Sequence, residues 1–231
     1  MTSRTPAPVA LLTGASRGLG RALATALADR GWRLVLTARD PDRLADVARD
    51  LDPAATAVAG DVADPAHRRL LADAVGGRLD LLVNNASELG PSPLPRLAAH
   101  PLDVLRRVYE VNALAPLGLL QLVLDPLRRS GGRVLNVTSD AAVEPYPGWG
   151  GYGSSKAALD QLTAVLAAEL PELRVYAVDP GDLRTDLHQA AFPGEDISDR
   201  PEPATAVPAL LQLITGDLPS GRYRAAELVS A

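Results

Sequence analysis

Six short apolar runs, at 8–13, 33–38, 56–60, 79–84, 133–138 and 173–179, recur along this chain, and helical patterns fill the intervals between them. Strands separated by helix-length connections cannot close into hairpins. They pair in parallel, with the helices crossing over the faces of the sheet. The alternation therefore predicts an α/β fold, a three-layer doubly wound parallel sheet. In such sheets ligands lie beyond the carboxyl ends of the strands, so the residues that follow each run are the ones to read for function. At 231 residues the chain suits one domain, spanning 1–231, and no repeat, low-complexity block or linker divides it.

After the first run comes Thr13-Gly14-Ala15-Ser16-Arg17-Gly18-Leu19-Gly20, then an alanine-rich amphipathic stretch to about Asp29. This reads as strand, tight turn and helix. Glycines permit the turn and let a pyrophosphate approach the backbone, while the helix N-terminus offers oriented N–H groups and a positive dipole. The glycine spacing departs from the usual G-x-G-x-x-G fingerprint, and a tight junction without a ligand is the alternative reading.

Tyr152 and Lys156 stand four apart in Tyr152-Gly153-Ser154-Ser155-Lys156, which puts both side chains on one helix face about one turn apart. An ammonium beside a phenol favours the phenolate and is expected to move the tyrosine toward working pH. Ser139 closes the fifth run, where its hydroxyl can meet the tyrosine over a substrate carbonyl. A half-buried aromatic next to a solvated lysine is the plain alternative.

The ordered set formed by Thr13 to Gly20, Asp61-Val62, Asn84-Asn85-Ala86, Asn112, Ser139, Tyr152 with Lys156, Pro180-Gly181 and Thr185 resembles the short-chain dehydrogenase/reductase family in its single-domain branch, over about residues 8–190. The resemblance implies a Rossmann-type domain and hydride transfer between a nicotinamide and a carbonyl or secondary alcohol. It implies catalytic roles for Asn112, Ser139, Tyr152 and Lys156, with Asn112 holding a water that links Lys156 to solvent; capping or bending a helix near Pro116 is that residue's other reading. Cofactor contacts are implied at Gly14, Ser16, Arg17, Gly18, Leu19, Gly20, Ala38, Arg39, Asp61, Val62, Asn85, Ala86, Tyr152, Lys156, Pro180, Gly181, Leu183 and Thr185. Asp61 would recognise the adenine amino group, and Asn84 would steady the central strand. Three departures stand out: Ser87 replaces a glycine, Asp140 follows the serine where small residues are frequent, and Arg222-Tyr223-Arg224-Ala225-Ala226 replaces a glycine-rich apolar tail.

The second run ends Thr37-Ala38-Arg39-Asp40. A carboxylate there would accept hydrogen bonds from the ribose of NAD, whereas a cation suits the 2′-phosphate of NADP. Ala38 occupies the acid position, and Arg39 with Arg17 points to NADP or NADPH; NAD is the alternative should Asp40 face the ribose. Substrate contacts are expected from Glu88, Leu89, Glu144, Pro145, Tyr146, Trp149, Leu183, Leu187 and Phe192. Residues 182–203 lose periodicity and read as a lid over the substrate or as an inert loop.

The absence of cysteine excludes disulfides and thiolate chemistry, and the three histidines lack metal-ligand spacing, His67 and His100 being expected at the surface or as caps. A net charge of −5 gives no reason to expect nucleic acid. The apolar stretches read as too short to span a membrane, and 1–8 lacks the features of a secretory signal, so a cytoplasmic location is expected. The helical stretches 102–129 and 157–170 carry apolar stripes that the resemblance assigns to a homodimer or homotetramer face. Besides a carbonyl reductase, a non-catalytic NADP sensor or scaffold, or an epimerase or dehydratase on a sugar nucleotide, are the competing readings. The first would usually lack the tyrosine or lysine, and the second would need a further substrate domain.

Overall fold

The computed structural model describes residues 6–229, so most of the 1–8 segment read for a signal lies outside the described residues. Along the chain come β1 (Val9–Thr13), α1 (Gly18–Ala28), β2 (Arg33–Thr37), α2 (Pro41–Asp50), β3 (Ala55–Ala57), α3 (Pro65–Val75), β4 (Leu81–Asn84), α4 (Leu102–Tyr109), α5 (Ala115–Ser130), β5 (Arg133–Val137), α6 (Gly150–Glu169), β6 (Arg174–Asp179), α7 (Asp186–Ala191), α8 (Val207–Thr215), β7 (Gly221–Arg224) and α9 (Ala225–Val229). The sheet is parallel throughout, in the order β3-β2-β1-β4-β5-β6-β7. The direction of winding reverses between β1 and β4, which opens a crevice at their carboxyl ends.

The two-residue period of the strands divides the core. Ala10 and Leu12 face α1, α2 and α8, packing with Leu23, Leu27, Leu44 and Leu210, while Val9 and Leu11 face α3 and α5, packing with Leu71, Leu119, Val123 and Leu127. Helix starts follow local chemistry. Asp40 and Asp64 each precede a proline and accept a backbone N–H of the first turn, at 3.1 Å from Arg43 and 2.8 Å from Ala66.

Several expectations shift. The third strand is shorter than 56–60 and begins at Ala55. The unusual tail still forms a seventh strand, Tyr176 pairing with Gly221 and Asp179 with Arg224. The expected helix 102–129 runs continuously, but residues Glu110–Leu114 form a π turn, followed by Pro116 in the first turn of α5. Proline has no N–H to give the carbonyl four residues back, here that of Asn112, and the wider turn accommodates this loss. Leu102–Ser130 is in fact long and apolar enough by length and composition to cross a membrane, contrary to the reading of short apolar stretches, and half of its apolar window is buried within the protein.

His67 and His100 are buried rather than superficial. Their rings occupy space that glycines leave open: a Cβ on Gly60 would come within 2.3 Å of His67, and one on Gly151 within 2.4 Å of His100. His67 Nε2 also meets the Thr37 hydroxyl at 2.8 Å.

Candidate active site

A cleft of about 1010 Å³ opens at the carboxyl ends of the strands. At one side lies the turn between β1 and α1. Gly14 there has a φ of 67°, and a Cβ on it would stand 2.8 Å from Asn85 Nδ2. Gly20 is tighter still, since its Cβ would meet the Gly14 carbonyl oxygen at 2.2 Å. Asn85 holds the turn by donating from Nδ2 to the carbonyls of Thr13 and Gly14 at 3.0 and 3.1 Å. Thr13 returns the contact, its hydroxyl accepting the N–H groups of Asn85 and Ala86. Asn84, by contrast, points along the sheet and donates to Asn136 at 2.8 Å.

The lining around this turn is rich in guanidinium groups, four of them paired with an acid. Arg17 bonds Asp186, Arg39 reaches Glu88 at 2.9 Å, Arg43 reaches Asp40 at 3.3 Å, and Arg107 reaches Asp61 at 2.5 Å. Arg43 and Arg107 escaped the sequence reading; Arg43 sits four residues beyond Arg39 on the helix that Asp40 caps, a spacing that could have flagged it. Asp40 spends its carboxylate on the α2 N-terminus and Arg43. Burial alone would raise the Asp61 carboxyl, but the Ala63 N–H and Arg107 hold it below the usual range.

Tyr152 and Lys156 are both buried on α6, and the Lys156 Nζ lies 5.5 Å from the Tyr152 ring centroid. The expected acidic tyrosine is not what this arrangement produces. Burial pushes the Tyr152 phenol up to about 12, opposed by hydrogen bonds from Ser87 and Ser139, and Asp179 and Asp140 push it further in the same upward direction. Burial likewise lowers Lys156 to about 8. The reason is geometric: the ammonium donates to the Val137 carbonyl at 2.8 Å and lies over the ring, so desolvation outweighs the pairing.

Ser139 Oγ donates to Asp140 Oδ1 at 2.9 Å and accepts the Ala141 N–H at 3.1 Å. Its backbone carbonyl accepts from Arg222 of β7 at 3.0 Å, and Arg222 also pairs with Asp160 at 2.9 Å. Asn112 lies within the π turn, fully buried. Its Oδ1 accepts from the Glu88 N–H at 2.8 Å and the Ser87 hydroxyl at 3.3 Å, while Nδ2 donates to the Glu88 carbonyl and to Ser155 Oγ. All four positions of its side-chain amide are thus spent on protein, which leaves none of them for the expected water.

Of the expected substrate contacts, Tyr146, Trp149, Leu183, Leu187 and Phe192 line the cleft. Glu88 instead pairs with Arg39, Leu89 is buried behind Tyr152, and Glu144 and Pro145 are exposed outside the lining. The acids that line the cleft are Asp40, Asp61, Asp140, Asp179, Asp182, Asp186 and Glu202. Residues 182–203 include the short helix α7, whose Leu187 and His188 line the cleft with Phe192 just beyond it. Ser16, Gly18, Leu19, Ala38, Val62, Pro180, Gly181 and Thr185 line it too.

These residues fit a dinucleotide. The glycine turn leaves backbone where side chains would collide, cations flank it, and the buried Thr138 hydroxyl lines the cleft with no hydrogen-bond partner among the described residues. Among the described residues no cluster suited to a metal ion occurs.

Residues 8–196 match the short chain dehydrogenase family. The chain is 36% identical to a sepiapterin reductase of Mus musculus, with 79% of this chain and 77% of the relative covered. It is 34% identical to a short chain dehydrogenase of Penicillium thymicola, with 96% and 89% covered. A short chain dehydrogenase from Shigella flexneri, solved in complex with NADP, superposes with a TM-score of 0.88 at 28% identity, covering 95% of this chain and 97% of that one. A relative from Escherichia coli solved with NADPH gives a TM-score of 0.87 at 30% identity, covering 94% and 96%. Fold, ordered motifs and these likenesses agree, and the chain belongs to the short-chain dehydrogenase/reductase family, as an NAD(P)-dependent oxidoreductase acting on CH–OH and C=O groups.

Proposed function

We propose that this protein is an NADPH-dependent ketone or aldehyde reductase. The observation that carries the reading is the buried Tyr152 phenol at the cleft, which Ser139 and Ser87 also line, with the Lys156 ammonium 5.5 Å from its ring. NADPH, when bound, supplies a hydride to the carbonyl carbon and leaves as NADP. Tyr152 gives its proton to the carbonyl oxygen as the C=O π bond breaks, and its high intrinsic pKa keeps that proton in place across the neutral range. Ser139 bonds the same oxygen by turning its hydroxyl away from Asp140. Lys156 holds positive charge beside the phenolate that remains, and Asn112, a positioning residue, fixes the Ser87–Glu88 strand end while its carbonyl holds the water for reprotonation.

The choice of NADPH over NADH rests on Arg17, Arg39 and Arg43 around the end of β2, with Ala38 where a ribose-binding acid would stand; the relatives solved with NADP and NADPH support it. Residues 182–203 act as a lid, since α7 is already packed over the cleft. The protein works in the cytoplasm as a homodimer or homotetramer.

Assays of NADPH consumption against a carbonyl panel test the reading. Tyr152→Phe removes one oxygen and is expected to bind NADPH normally while kcat falls about a hundredfold or more. Near-normal turnover in that variant would remove the phenol from the mechanism.

A further inference from the structure

The chain has one phenylalanine, two tryptophans and five tyrosines, and its cores are built almost wholly from Leu, Val, Ile and Ala. Yet the single phenylalanine, one of the tryptophans and two of the tyrosines line the cleft. Rings scarce everywhere else are gathered beside the reacting phenol.

Their arrangement is continuous. Trp149 meets Tyr152 edge-on, with centroids 5.8 Å apart and planes at 71°. Phe192 lies 5.9 Å from Trp149 at 50°, and His188 lies 4.9 Å from Phe192 at 40°. Trp149 and Phe192 are only half-buried, so each keeps ring surface open to the cleft, and Leu187 and Ala141 complete an apolar wall. Acids outnumber cations beside this wall, where Arg222 stands 3.8 Å from Asp179 and 2.9 Å from Asp160, and Arg200 stands 3.9 Å from Asp182 and 2.9 Å from Asp199. Asp140 and Asp179 act on Tyr152, and Asp182 and Glu144 act with Asp140 on Tyr146, whose phenol they raise. Asp140 is already engaged by Ser139, the Ala141 N–H and the Tyr146 hydroxyl at 3.0 Å. Arg17, Arg39, Arg43 and Arg107 line the nucleotide-facing part of the cleft, each paired with an acid, while Arg184 on the lid pairs with Glu202.

We infer that the substrate is a ketone or aldehyde, uncharged or cationic, that carries a flat aromatic ring next to its carbonyl and stacks that ring on Trp149 and Phe192. Offset and edge contacts with the two rings favour a planar π system over a saturated ring of equal size. A carboxylate or phosphate on the substrate would approach Asp140, Asp179 and Asp182, whose neighbouring guanidinium groups, Arg222 and Arg200, are already engaged by acids. The inference rests on the reductase reading and narrows it.

The test compares three methyl ketones with the intact protein and NADPH: acetophenone, its saturated counterpart cyclohexyl methyl ketone, and para-acetylbenzoate. The expected kcat/KM for acetophenone is about tenfold above that for the cyclohexyl ketone, the upper range for an aromatic pair, and about tenfold or more above that for the benzoate. Phe192→Leu, and independently Trp149→Leu, should bring the aryl-to-cyclohexyl ratio close to one while KM for NADPH stays within about twofold. Because the readout is a ratio between two substrates of one variant, partial loss of folded protein does not alter it. Preference for the cyclohexyl ketone or the benzoate, or an unchanged ratio in both variants, overturns the aromatic subsite and leaves the reductase standing. Failure to reduce any carbonyl, with NADPH bound, overturns both.

Discussion

Tyr152 and Lys156 show how a pair legible in sequence acquires its chemistry from burial. The spacing places the two side chains together, but the strand-end carbonyl of Val137 takes the ammonium, and desolvation moves the two groups in opposite directions, the phenol to about 12 and the amine to about 8. Ser87, a departure from the family pattern, softens the rise, and its hydroxyl also meets Asn112 Oδ1 of the π turn at 3.3 Å. The lysine has a consequence for stability. Below pH 8 its ammonium is charged in both folded and unfolded chains, and the full burial cost opposes folding. From about 8 upward the unfolded chain binds the extra proton, so stability rises with pH until the unfolded lysine also deprotonates near 10.5. Tyr152 has the opposite sign and acts only above about 10. Denaturant unfolding of wild type and Lys156→Met should therefore show wild type gaining about 2 to 3 kcal/mol relative to the variant between pH 8 and 10. Parallel stability curves would mean that the ammonium is not desolvated.

At the scale of elements, the proposed choice of NADPH rests on the C-terminal end of β2 and the start of α2. Arg39 leaves the strand and Arg43 rises from the first turn of the helix, so both guanidinium groups reach the same end of the cleft. Arg39→Ala is expected to raise KM for NADPH by roughly tenfold or more, the loss of a charge-assisted bond of about 1.5 to 3 kcal/mol, with NADH little affected. Adding Arg43→Ala should raise it again. Glu88→Gln should act in the other sense, because Arg39 then has no competing carboxylate. Steady-state kinetics with both cofactors checks the signs, and a wild-type preference for NADH would transfer the ribose contact to Asp40. β7 also bears on the cleft: its Arg222 reaches across β6 to the carbonyl of Ser139, so the atypical tail holds the backbone of that serine from behind.

For the whole molecule, the long helices leave apolar side chains uncovered. Leu122 on α5 is 43% exposed, Val165 on α6 41%, and Leu114 in the π turn 50%. A second copy packing on this surface would bury them, in keeping with the proposed homo-oligomer. Light scattering on size-exclusion fractions should give a multiple of the chain mass for wild type and a smaller assembly for Leu122→Asp. A wild-type protein that runs as a monomer would remove the proposal.

The sheet, the glycine turn and the order of the site residues were legible in the sequence because they depend on local quantities: strand length, the periods of two and 3.6, and spacings of a few residues. Thus Gly14 and Ser139, which follow the first and fifth runs, line the cleft, while Gly20 lies buried behind it in the first turn of α1. Features set by partners distant in the chain were not legible. Arg39 meets Glu88 across 49 positions and Asp61 meets Arg107 across 46, while His67 and His100 fill hollows left by Gly60 and Gly151. The tyrosine's proton affinity belongs to the same class. A sequence can place a cation one turn from a phenol, but only the packed structure determines how much water both have lost, and here that loss outweighs the attraction between them.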